Sequence, residues 1–318
     1  MQNSIARLLA CTALAICFNS PITHAQAPNL GDWEDILSKS PWVFLGDSNT
    51  YSGQYVAILE AWMRESGIPD NRIPRLINLG MSSETAAGTS EVDHPFKRPC
   101  VHERIDKLLT MMKPAVVFVC YGMNDGIYGP LNEENLAAYK LGMFSLAKKV
   151  KRSGAKLVCL TPPPFEVDPV RARNKLGPTE TGRFAYFAPS ADYDEVIQAQ
   201  AAWCRTNKID ADLVIDIYSK LQSERAARRE TAPEFNFSRD GVHFGPEAHA
   251  IVAEALLDAL GAPDNVLSSF PTDARIKSMR EKMTLLRNAY LTATGKNRPG
   301  LPAGLPTWYA EAMAAQLN

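Results

Sequence analysis

The sequence predicts an α/β protein built on a five-stranded parallel sheet, and three observations point to it. Strand-like and helix-like segments alternate along the chain, the pattern of repeated βα units. The run Ala115-Val116-Val117-Phe118-Val119-Cys120 is apolar without interruption, as a strand covered by helices on both faces must be. The apolar run Trp42-Val43-Phe44-Leu45 stops at Gly46-Asp47-Ser48, and helix-compatible sequence follows from Tyr51 to Glu65, which sets a serine hydroxyl at a strand-to-helix turn.

Taken in order, residues 1–25 read as a secretory leader. Arg7 supplies the positive charge, Leu8–Phe18 is an apolar run too short to span a bilayer, and Thr23-His24-Ala25 offers small residues where a signal peptidase inspects them. Cleavage is expected after Ala25, because a cut after Ala27 would place Pro28 beside the scissile bond; a lipoprotein site at Cys11 has too little apolar sequence before it. The product would be periplasmic or extracellular. Strands are expected at Trp42–Leu45, Arg75–Leu79, Ala115–Tyr121, Lys156–Leu160 and Leu213–Ile217. Leu136, Tyr139, Met143, Leu146, Ala147 and Val150 trace one face of a helix over Glu133–Ser153. Ile251, Val252, Ala255, Leu256 and Ala259 do the same for Pro246–Leu260, with Pro246 in the first turn and Gly261 at the stop. The connection Phe165–Ala191 is long, with Arg171, Arg173, Lys175, Arg183 and the rings of Phe184, Tyr186 and Phe187, and reads as a lid or as a solvated loop. Beyond Pro263, Thr272–Thr294 and Thr307–Gln316 read as helices on either side of a break at Asn297–Pro302. Residues 264–318 are therefore expected to pack as a helical extension on a domain of residues 26–263.

Composition narrows the function. A chain of 318 residues, 46% hydrophobic, suffices for one sizeable core. Lys plus Arg is 34 against 35 Asp plus Glu, so the basic footprint of a nucleic-acid binder is missing. No run after the leader is long and apolar enough for stable membrane insertion. Once the leader is removed, Cys100, Cys120, Cys159 and Cys204 remain, which permits disulfides in three connectivities. Cys120 and Cys159 nevertheless sit inside predicted strands and read as small buried side chains. No CxxC or HExxH spacing supports a metal site.

A serine hydroxyl is a poor nucleophile until a base takes its proton. Asp240-Gly241-Val242-His243 can supply one: Gly241 lets the segment turn tightly, so that Asp240 holds one imidazole nitrogen and the other faces Ser48. His249 on the following helix reads as structural, and His94 and His102 as polar loop residues within possible reach of substrate. Acyl transfer also needs donors aimed at a developing oxyanion. The backbone N–H of Ser48, the backbone N–H of Gly80 in Asn78-Leu79-Gly80, and the side-chain amide of Asn124 in Gly122-Met123-Asn124-Asp125 are the candidates. Asp47 and Asp125 read as turn residues. Ser48, Gly80, Asn124 and the Asp240–His243 pair each follow a different predicted strand, and the carboxyl ends of parallel strands share one edge where ligands bind.

On these residues the chain resembles the SGNH (GDSL-type) hydrolases over residues 42–260. Gly46-Asp47-Ser48 is similar to the family's first block, Gly80 to its second-block glycine, Asn124 to its third-block asparagine, and Asp240 with His243 to its fifth-block pair. Asn49 departs from the leucine or isoleucine common there, a change expected to affect the pocket wall and not the mechanism. The resemblance implies a flavodoxin-like three-layer α/β/α fold and ester hydrolysis without a cofactor. With the leader, it implies an exported serine esterase that removes small acyl groups, such as acetyl, from a small ester or an acylated carbohydrate. An envelope glycan O-acyltransferase, a lipid esterase or thioesterase, and a non-catalytic glycan-binding module stay open as alternatives, as does the oligomeric state.

Overall fold

The computed structural model describes residues 31–178 and 182–317. The leader expected over residues 1–25 lies outside the described residues. Strands β1 (Trp42–Gly46), β2 (Leu76–Asn78), β3 (Val116–Cys120), β4 (Lys156–Leu160) and β5 (Leu213–Ile215) form one sheet in the order β2-β1-β3-β4-β5. Every pairing is parallel. In this doubly wound order the chain leaves β1 toward one edge and β3 toward the other, which opens a crevice above their carboxyl ends. Gly46 pairs with Cys120, so both strands end level and the segments that follow them emerge side by side.

The longer helices are α1 (Gln54–Glu65), α2 (Ile105–Met112), α3 (Glu133–Arg152), α4 (Tyr193–Arg205), α5 (Ile217–Arg229), α6 (Pro246–Ala259), α7 (Asp273–Thr294) and α8 (Thr307–Ala314). Side chains of β1 alternate between two cores. Trp42 and Phe44 pack with residues of α1 and α6, while Val43 and Leu45 pack with residues of α2 and α3. Phe44 stacks on Phe118 of β3 with ring centroids 4.4 Å apart. Both rings are fully buried, and truncating either to alanine removes about 3–5 kcal/mol.

The fold class read from the sequence is therefore the fold observed, and the differences are local. The single helix expected over residues 51–65 is two: a short one at Ser48–Tyr51, then α1, because Gly53 takes a left-handed φ of 76° between them. Phe165–Ala191 is not wholly irregular, since Val167–Ala172 is helical. The carboxyl-terminal helices are integral to the packing. Met279 and Met283 of α7 join one core and Leu286, Tyr290 and Leu291 the other, so α7 covers the flank of β2 that would otherwise be an open sheet edge. Beneath it, Lys282 and Arg64 both donate to the fully buried Glu60 carboxylate of α1. Cys100, Cys120, Cys159 and Cys204 are all free thiols. Among the described residues no helix is long and apolar enough to cross a membrane.

Candidate active site

Ser48 stands immediately past the end of β1. Asp47 caps the short helix, accepting from the Asn49 N–H at 3.0 Å, and this fixes the turn that lifts the Ser48 side chain out of the sheet edge. Asp47 is itself buried, and burial pushes its carboxyl up to about 6. The candidate base arrives from a distant turn. His243 Nε2 lies 2.8 Å from Ser48 Oγ, and His243 Nδ1 lies 2.7 Å from Asp240 Oδ2. Asp240 Oδ1 accepts from the Val242 and His243 N–H groups and from the Ser238 hydroxyl, so the carboxylate cannot swing away. Burial disfavours its ionised form, but the bonds from the His243 side chain and backbone and from Val242 outweigh that and hold the carboxyl well below its usual range. The same Asp240 bond raises the imidazole of His243 above its ordinary value, against a smaller opposing effect of burial. Gly241 takes a φ of 86°, and a Cβ there would come within 2.6 Å of the Glu166 carbonyl. Glu166 grips the segment before the turn through the Phe237 and Ser238 N–H groups.

Asn49 is not part of the pocket lining and instead joins two turns. Its side chain is buried, its Nδ2 donates to the Val242 carbonyl at 3.0 Å, and its Oδ1 accepts from the Phe244 N–H at 3.2 Å. The residues on either side of His243 are thus tied to the residue after Ser48. The expectation that Asn49 only shapes the pocket is corrected: at this position a leucine could not span the two turns.

Asn124 enters from the turn after β3. Tyr128 donates to its Oδ1 at 3.0 Å, which fixes the amide orientation, and its Nδ2 donates to the Glu84 carbonyl at 3.1 Å while keeping a second hydrogen for the pocket. Asp125 bridges the loops after β2 and β3, accepting from Ala86 and Ala87 at 2.8 and 2.7 Å, and burial raises its carboxyl to about 7. Below the pocket, the buried pair Arg104–Glu84, with Tyr121 on the same carboxylate, anchors the loop after β2.

Gly80 follows β2 as expected, but its N–H is not free for the pocket. Its N–H donates to Asn78 Oδ1 at 2.9 Å, and its missing side chain accommodates the chain after Ser48: a Cβ would meet the Tyr51 nitrogen at 2.5 Å. Gly80 is thus a packing residue at this turn, and its donor is already used. The loop reaches the pocket a few residues later. Ser82 and Ser83 line it with Ser48, Asn124 and His243, and Ser83 takes a left-handed φ of 67°. Among the described residues no backbone acceptor takes the Ser83 N–H. Sequence reasoning missed Ser83 because a serine carries no mark of the left-handed region that a glycine would have announced.

The pocket has a volume of about 260 Å³. Its far side is built by His94, Phe96, Arg98, Tyr186 and Arg298. His94 is held below its ordinary value, first by burial and then by the Arg98 charge. Tyr186, from the long connection, packs on His94 with ring centroids 5.4 Å apart. His102 and His249 stay outside: His102 faces the Gly142 carbonyl, and His249 is buried against Tyr55 and Phe244, where burial lowers it to about 3. A larger groove between α1 and α7 holds no nucleophile beside a base. Among the described residues no group of His, Cys, Asp and Glu is arranged to hold a metal ion.

The model of the GDSL-like Lipase/Acylhydrolase family matches residues 44–251. No curated protein matches the sequence. Among solved structures, a gut microbial diltiazem-metabolizing enzyme aligns with a TM-score of 0.50 at 18% identity, over 70% of this chain and 47% of that one, so the chain spans about half of that structure's length. The acetylxylan esterase Axe2 from Geobacillus stearothermophilus aligns at 0.46 and 20% identity, covering 74% of this chain and 97% of that one. LAE5, an alpha/beta hydrolase enzyme from the metagenome of Lake Arreo, Spain, aligns at 0.45 and 21% identity, covering 70% and 95%. At these identities the likeness is one of fold.

Proposed function

This chain belongs to the GDSL-like lipase/acylhydrolase family and is a carboxylic ester hydrolase, and from that premise we propose that it works through a Ser48–His243–Asp240 triad as an exported deacylase of a small, polar ester such as an acetylated carbohydrate. The observation that carries the reading is the unbroken chain of hydrogen bonds from Ser48 Oγ through His243 to Asp240, 2.8 and 2.7 Å long, open to the pocket.

His243 takes the Ser48 proton as Oγ attacks the ester carbonyl, and Asp240 holds the imidazole in the required tautomer and stabilises the imidazolium. The oxyanion meets the N–H groups of Ser48 and Ser83 and the free hydrogen of the Asn124 amide, with Ser83 in the part first given to Gly80. The imidazolium protonates the leaving alcohol. His243 then deprotonates water, which releases the acid and regenerates Ser48. The small volume favours a short acyl group over a long alkyl chain, and the Ser82, Ser83 and Arg298 side chains on the wall suit a hydroxylated alcohol. Export rests on the character of residues 1–25.

Labelling with a fluorophosphonate followed by peptide mapping tests the nucleophile: modification falls on Ser48 and disappears in Ser48→Ala. Modification elsewhere, or persisting in that variant, would remove the triad. A series of p-nitrophenyl esters of rising chain length tests the acyl group, and a preference for long chains would defeat the deacetylase reading.

A further inference from the structure

Two guanidinium groups border the pocket, and they differ in one respect that matters for substrate. Arg98 is buried and held by Glu91 through two 2.6 Å bonds, Nε to Oε2 and Nη2 to Oε1, so that pair presents no net charge. Arg298 comes from the break between α7 and α8 and has no carboxylate partner among the described residues. Its Nη1 donates to the Pro299 carbonyl at 2.7 Å, and its guanidinium lies 5.3 Å from the centre of the Phe96 ring. Those two contacts fix the group in place without neutralising it. Its Nε is buried and has no acceptor. A buried donor without an acceptor is unfavourable. Nη2 makes no hydrogen bond among the described residues, so a guanidinium that lines the pocket keeps a donor and a full charge to offer a carboxylate.

We propose that Arg298 is a substrate-binding residue that reads a carboxylate carried close to the scissile ester, so the preferred substrate is an anionic ester and not a neutral one. This deepens the reading above and rests on it. It also gives the carboxyl-terminal segment a part in recognition, since the break between α7 and α8 holds a pocket-lining guanidinium with no carboxylate partner among the described residues. The carboxylate has two possible sources, an acidic sugar on the alcohol side or a dicarboxylic acyl group.

Two substrate pairs separate these sources. An O-acetylated methyl glucuronide is compared with its uronate methyl ester, and p-nitrophenyl hemisuccinate with p-nitrophenyl butyrate. The wild type is expected to favour the charged member of one pair by about tenfold or more in kcat/KM, the range of a charge-assisted hydrogen bond. Arg298→Gln should bring that ratio toward one, and Arg298→Lys should restore it in part. Preference in the first pair assigns the carboxylate to the sugar, and in the second to the acyl group. Equal rates in both pairs overturn the proposal while leaving the triad intact. Binding provides a readout independent of turnover: the Ser48→Ala variant, titrated calorimetrically, should hold the glucuronide or the hemisuccinate about tenfold tighter than its neutral counterpart. Should no ester be hydrolysed, the triad reading falls and this titration alone decides on Arg298. Should Arg298→Gln fail to fold, the wild-type preference must shrink as salt rises from low to molar concentration, and a preference indifferent to salt overturns the proposal.

Discussion

On one side of the pocket, Ser48 and Asn124 sit a few residues past the ends of β1 and β3, and His243 sits in a four-residue turn beside its own carboxylate. On the other, Phe96 and Arg98 come from a loop after β2, Tyr186 from the long connection after β4, and Arg298 from the chain beyond α7. The near side is made by short local turns hung on one sheet edge. The far side is made by three segments that meet only because the body of the protein brings them together. The proposed chemistry is thus placed by backbone geometry, whereas the proposed recognition is placed by packing, and the two sides should respond differently to substitution.

Asp240→Asn should do the most damage on the near side. The turnover plateau is expected to fall by up to about 10⁴, as happens when a triad histidine loses the carboxylate that sets its tautomer. The pH profile gives the sign. In the proposed triad His243 is a base only when neutral, and Asp240 raises its pKa, so wild-type activity should be lost as pH drops through that raised value. Without the carboxylate the acid limb should move to lower pH, and a limb that stays in place would mean Asp240 does not tune the imidazole. Asn124→Ala should lower kcat by about 10²–10³ with little change in KM, since it removes an oxyanion donor. A loss confined to KM would shift Asn124 from the near side's chemistry to ground-state binding.

Smaller effects sharpen the comparison. Asn49→Ala cuts both ties that hold His243 against Ser48, and leaving the Val242 carbonyl and Phe244 N–H unpaired costs about 1–3 kcal/mol. A kcat loss of about tenfold with a lower Tm is expected, and unchanged kcat would show that the Asp240 turn stands without help. Smallest is Ser83→Gly. The left-handed φ of 67° strains a residue with a Cβ by about 1–2 kcal/mol, so glycine should raise Tm by a few degrees. No rise would mean that the serine side chain stabilises the turn by contacts of its own.

Much of the near side was legible because its signals are local. An apolar run ending in Gly-Asp-Ser, a strand ending before Gly-Met-Asn-Asp and the Asp240–His243 spacing each describe a turn whose outcome depends on a few neighbouring residues. Gly80 shows the limit of such reasoning. A glycine after a strand looked like an open donor, but whether its N–H faces the pocket depends on Asn78 and on the chain after Ser48, which crowds it. Asn49 is the same lesson reversed: its partners are nearly two hundred residues away, so a change from an apolar residue read as a matter of pocket shape.

The amino-acid sequence alone determined the parallel sheet and its helix-covered faces, and marked Ser48, Asn124, Asp240 and His243 as candidates that meet at one sheet edge, because hydrophobic periodicity and turn chemistry act over a few residues. Only the tertiary structure decided that, among the described residues, Ser83 and not Gly80 has a donor left for the pocket, that Asn49 fastens the His243 turn, and that Arg298 stands without a carboxylate partner. Each of those depends on which groups are left without a partner once all segments have packed, and that is a property of the whole chain.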